Sequence, residues 1–136
     1  MTSKLMPPAV RATAPGHTRG MKIIDFSSPL TGDSSSPDAD RLVAGDPRQT
    51  VANYFADSTE QFFAGRWSST RGKWRIRYSE SEFCHLIRGR VRLENLDGER
   101  WEFGPGDAFV VPSGFAGTWE VIEDCTKFYA IFEART

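Results

Sequence analysis

Three ionisable side chains, Tyr78, Glu82 and Cys84, fall within one short stretch of this chain. A carboxyl group so placed can serve as a general acid or base with a phenol assisting it, or can anchor a polar ligand through hydrogen bonds. No second titratable partner for Glu82 is evident in the sequence, which favours binding over catalysis. Cys84 is the weaker candidate, because nothing adjacent lowers its pKa and a free cysteine more often packs as a small apolar residue. The chain has two histidines, His17 and His85, too few for a histidine-rich metal shell. Cys84 and Cys125 stand in no CxxC spacing, so two reduced thiols are expected. Arg88, Arg90 and Arg92 with Glu94 have the composition of a solvated strand face.

The elements that must carry these residues are strands. From residue 50 onward, short runs of β-branched and aromatic residues are separated by turn residues at the spacing of an all-β barrel or sandwich. The pattern predicts strands near 51–55, 61–68, 73–78, 82–88, 90–96, 100–103, 108–111, 118–122 and 127–133, and no helix. Asp97-Gly98 predicts a tight hairpin turn with positive φ angles. Gly104-Pro105-Gly106-Asp107 and Pro112-Ser113-Gly114 predict two more turns. Side chains alternate along a strand, so Glu82, Cys84 and Leu86 share one face while Phe83, His85 and Ile87 share the other. Ten Phe, four Trp and three Tyr, most of them after Tyr54, must line a core or a pocket.

Residues 1–50 have a different character. They hold most of the Pro, Ser and Asp clusters, and 27–40 is the clearest loop-like piece. Only 21–26 shows strand-like alternation there. The expectation is an N-terminal arm over 1–50, partly disordered when alone, lying along the barrel or crossing to a second subunit, ahead of a barrel domain over 51–136. An arm with one alternating segment, facing an exposed barrel edge, points to a homodimer.

Composition excludes several classes. A chain of 136 residues is the size of one domain and buries roughly 65–70% of its unfolded surface. With 17 basic and 18 acidic residues the formal net charge is −1, so no long-range field draws in nucleic acid or an anionic membrane. No apolar run approaches the length of a membrane span, and MTSKLMPPAV is too short and too Pro-broken for a signal-peptide core. A cytoplasmic location is the expectation.

EFCHLIRGRV (82–91) and FGPGDAFVVPSGFAGTWEV (103–121) resemble the two halves of the cupin signature. Glu82 and Gly89 match the spacing of the first half, and Gly106, Pro112 and Gly114 that of the second. With the preceding tryptophan-rich strand and the closing KFYAIFE, the chain resembles small single-domain cupins related to the barrel of (S)-ureidoglycine aminohydrolase. The resemblance implies a cupin-type double-stranded β-helix, or jelly-roll barrel, with Glu82 and Cys84 pointing inward. It also implies three metal histidines that this sequence lacks. Gly117 stands at the third position, sharing its face with Trp119 and Val121, and the first two fall on Arg75 and Arg77 or on Ile76 and Tyr78. Patterning chooses Trp74, Ile76 and Tyr78 as the inward set, since the other register buries Lys73, Arg75 and Arg77.

No metal and no other cofactor is therefore expected, unless His17 or a partner subunit supplies ligands. The metal-dependent deamination of the relatives does not carry over without its Lewis acid. The favoured reading is a barrel that binds a small polar metabolite, with Glu82, Tyr78 and Cys84 inside an aromatic wall of Trp67, Trp119, Phe109 and Phe55. The alternatives are a small-molecule isomerase, lyase or hydrolase using Glu82 as acid or base with Tyr78 assisting, and an oligomeric scaffold filled by its own side chains.

Overall fold

The computed structural model describes residues 21–135, and every regular element among them is a strand. These are β1 (Asp33–Ser35), β2 (Leu42–Gly45), β3 (Gln49–Ala56), β4 (Phe62–Ser69), β5 (Gly72–Arg77), β6 (Ser81–Asn95), β7 (Arg100–Phe103), β8 (Ala108–Val111) and β9 (Ala116–Phe132). All their pairings are antiparallel.

Two long strands organise the barrel. β6 and β9 run beside each other from the Ser81–Phe132 pair to the Asn95–Gly117 pair. The first half of β6 takes β8 on its other edge and the second half takes β7. The last half of β9 takes β4, and its first half takes β5. The sheet thus curls into two facing halves that share the same two strands, which is the wall of the expected jelly roll.

The sequence pattern predicts four strands where the structure has β6 and β9. Gly89 explains the difference in β6. Its φ of +88° bends the strand, and the register shifts there while the ladder resumes on either side. A Cβ at this position would run into the Asp124 carbonyl oxygen and Cys125 of β9. The bend carries the second half of β6 into the other half of the barrel without a loop.

The arm also differs from expectation. Residues 21–26 form no strand, and Phe26 instead lays its ring on Tyr54 and against Phe128, with centroids 4.7 and 5.6 Å away. Two short strands lie where loop was expected or no element was predicted: β1 pairs with β3, and β2 with β5. Their backbone groups hold them to the sheet edges, so their side chains needed no alternation. The first twenty residues, with the expectations placed on them, lie outside the described residues. The Asp97-Gly98 turn is longer than a two-residue hairpin, and only Gly98 has positive φ, +87°. Asn95 organises this loop by accepting from the Asp97 and Glu99 amides at 3.0 and 2.9 Å.

Inside the barrel, Phe63, Trp67, Trp74, Tyr78, Leu86, Trp119 and Ile131 are buried. Trp67 meets Trp119 edge-on at 5.6 Å and Trp74 at 6.3 Å, joining the two halves across the interior. Trp74, Ile76 and Tyr78 face inward while Arg75 and Arg77 are exposed, the register that hydrophobic patterning selects.

Replacing Gly89 with Ala forces a side chain into positive φ and into β9. The expected loss is at least about 1–2 kcal/mol, the cost of the left-handed conformation alone. Urea unfolding of the variant beside the wild type measures it.

Candidate functional site

β6 and β9 bring four polar side chains together at the centre of the barrel. Strand alternation puts Glu82 and Cys84 on the inner face of β6, and Lys127 on the inner face of β9 with Tyr129 and Ile131. Tyr78, the residue that follows β5, donates its hydroxyl to Glu82 Oε1 at 2.6 Å. The Lys127 ammonium stands 2.8 Å from Glu82 Oε2 and 3.5 Å from Cys84 Sγ. Its remaining surface faces the Trp119 and Trp67 rings, at 4.2 and 4.7 Å from their centroids. Gln49 fixes one of these rings by accepting from Trp67 Nε1 at 3.0 Å.

Glu82 and Lys127 have no exposure to solvent. Burial works against the Lys127 charge, but Cys84 and Glu82 outweigh it and hold the ammonium above its ordinary pKa. Burial, and after it the Glu82 charge, holds the Tyr78 phenol well above its usual range. The cluster is therefore a charged pair with a neutral phenol attached. Burial likewise pushes the Cys125 thiol up to about 11, which leaves it unreactive at neutral pH.

Sequence reasoning missed Lys127. It found no titratable partner for Glu82, yet the partner sat in a predicted strand, at the same parity as Tyr129 and Ile131. Lysine in a strand is ordinarily read as solvent-facing, and a buried one needs a counter-charge from another strand.

The structure gathers Tyr78, Glu82, Cys84, Trp67 and Trp119 around Lys127. Phe109 lies at the edge of this group, stacked on Phe103 at 3.9 Å and 6.2 Å from Trp119. Phe55 is elsewhere. The register of β3 shifts between Asn53 and Phe55, which turns Phe55 to the outer face, where it meets Phe62 at 6.0 Å. Above the cluster, a cavity of about 320 Å³ is lined by Leu93, Trp101, Phe103, Phe109, Val111 and Phe115, among others. Val111 and Phe109 are the cross-strand partners of Glu82 and Cys84, and Leu93 that of Trp119. The cavity floor is thus one side-chain layer from the ion pair.

A divalent metal of the kind many cupins hold does not fit this interior. The Lys127 ammonium already stands on Glu82, and among the described residues no three His, Cys, Asp or Glu side chains gather to hold an ion. His85 lies on the outer face, 6.4 Å from the Phe128 ring. At Gly117, any Cβ would run into the Glu94 carbonyl oxygen, so a histidine requires β6 to move.

Residues 56–129 match the family model of the EutQ-like cupin domain. The chain belongs to that family. A solved protein of unknown function from Pseudomonas syringae pv. tomato, of family DUF861, is 28% identical over 90% of this chain, with a TM-score of 0.72. This EutQ-like cupin spans 52% of that protein, about half its length. The Clostridium difficile EutQ protein is 17% identical, with 75% of this chain and 82% of that one covered and a TM-score of 0.58. Ectoine synthase from P. lautus is 14% identical, with 73% of each chain covered and a TM-score of 0.56. These last two show the fold alone. No curated protein matches the chain.

The ion pair of this EutQ-like cupin makes a coupled prediction. Lys127→Met leaves Glu82 buried without a counter-charge, and Glu82→Gln does the same to Lys127. Each single variant is expected to lose about 3–5 kcal/mol, and the double variant to recover most of it. Chemical denaturation of all four proteins gives the coupling energy, and additive losses would show that the pair does not act as a unit.

Proposed function

We propose that this EutQ-like cupin is a metal-free cytoplasmic barrel, a homodimer in solution, that binds a small polar metabolite at its mouth. The observation that supports the reading is the cavity over the ion pair. Its aromatic wall suits the apolar flank of a ligand, and one layer below lie the buried charges of Glu82 and Lys127. Phe109, partly exposed and stacked on Phe103, is the side chain whose rotation would give a polar group access to Glu82 and Lys127.

Neither Tyr78 nor Lys127 is poised to assist Glu82 in proton transfer, which favours binding over acid–base catalysis. Efficient proton transfer needs a group that titrates near the working pH. The Tyr78 phenol is held neutral and the Lys127 ammonium charged, both in the direction away from neutrality. The scaffold reading has one observation in its favour: Tyr78, Glu82, Cys84 and Lys127 are buried and in contact with one another.

Thermal melts against small amines, ureides and hydroxy acids separate the two readings. A true ligand at a hundredfold over its Kd adds about 2.7 kcal/mol. Trp101, 41% exposed on the cavity wall, is expected to matter for that gain and little for the unliganded fold. Trp101→Ala should therefore abolish the stabilisation while melting near the wild type without ligand. If no compound stabilises the wild type, or if both proteins respond equally, the scaffold reading takes its place.

A further inference from the structure

Lys127 sets a positive charge among side chains of the types that also hold a metal ion. Its nitrogen lies 2.8 Å from the Glu82 carboxylate and 3.5 Å from the Cys84 sulfur, two donors of the types that hold zinc. Tyr78 supports Glu82 from behind through its 2.6 Å hydrogen bond, as an outer partner orients a metal-bound carboxylate. Trp67 and Trp119 close the remaining sides with their ring faces. The interior is thus laid out around one positive centre that arrives on a side chain of β9.

We propose that the Lys127 ammonium is a tethered replacement for a bound metal ion: it neutralises Glu82, occupies the cation position and so excludes divalent metals from the barrel. The proposal rests on the metal-free part of the functional reading and is independent of any ligand at the mouth. It has a geometric corollary. An imidazole plus one zinc–nitrogen bond of about 2.0–2.1 Å spans about the reach of a lysyl chain. Lys127→His therefore offers zinc three donors, Glu82 Oε2, Cys84 Sγ and the new ring nitrogen. The same position then holds a free ion in place of a tethered one.

The test loads full-length wild type, Lys127→His and Lys127→His/Cys84→Ala with zinc, dialyses them and measures zinc per chain by elemental analysis, with thermal melts in zinc and in chelator. The wild type is expected to keep less than about a tenth of an equivalent. Lys127→His should keep about one equivalent and melt higher in zinc than in chelator, and the double variant should lose most of both. Stoichiometric zinc in the wild type overturns the metal-free reading itself. With a zinc-free wild type, the replacement proposal alone is overturned if Lys127→His folds without taking up zinc, or stays unfolded even when refolded in zinc. It is equally overturned if the double variant binds zinc as well as the single one.

Discussion

The Glu82–Lys127 ion pair is the constraint around which the barrel interior is arranged. Taking two charges out of water costs several kcal/mol per ion, and their attraction offsets this only when other groups complete both shells. Here Tyr78 completes the carboxylate, while Cys84, Trp67 and Trp119 complete the ammonium. Such a pair stabilises little relative to an apolar filling, but it penalises any arrangement that separates its members. Because Glu82 belongs to β6 and Lys127 to β9, the pair fixes the inward faces of the two strands that run through the whole barrel.

Those two strands explain why so compact a chain can have a polar centre. Each contributes to both halves of the barrel, and their inward side chains, Glu82 and Lys127 among them, are buried. Gly89 makes the bend in β6 by its positive φ and by the absence of a side chain against β9. At the other end of the paired strands, β9 approaches β6 so closely at Gly117 that no side chain fits. A histidine at this position, which the sequence resemblance implies, is therefore blocked by the backbone as well as absent from the sequence. The cavity nearest the ion pair is on the apolar side, between the Phe103–Phe109 stack and Trp101.

Much of the fold was legible in the sequence because it rests on local signals. Period-two alternation located β3 to β9, and Gly106 and Gly114, both with positive φ, sit in the predicted turns. The inward set of Trp74, Ile76 and Tyr78 followed from the cost of burying arginine. What was not legible depended on partners distant in sequence. β1 and β2 form by backbone pairing at sheet edges and leave no side-chain pattern, and the alternation of 21–26 led to no strand because no edge pairs with it among the described residues. The continuity of β6 through Gly89 reads as a break when each half is taken alone. Phe55 was placed in the site by its type, whereas a register shift in β3 turned it outward. Lys127 was missed for the deepest reason: its burial makes sense only once Glu82, 45 positions earlier, is known to face it.

The protonation and exposure of that one lysine test the central claim most directly. Nitrogen-15 NMR of lysine-labelled protein resolves a side-chain ammonium when exchange with water is slow. A buried ammonium on Glu82, held above the ordinary lysine pKa of 10.5, should give a protected signal at neutral pH that persists as the pH rises past that value. Assignment by Lys127→Arg should remove that signal alone. A Lys127 nitrogen that is neutral at pH 7, or that exchanges as fast as the surface lysines, would contradict a buried ion pair at the heart of the barrel.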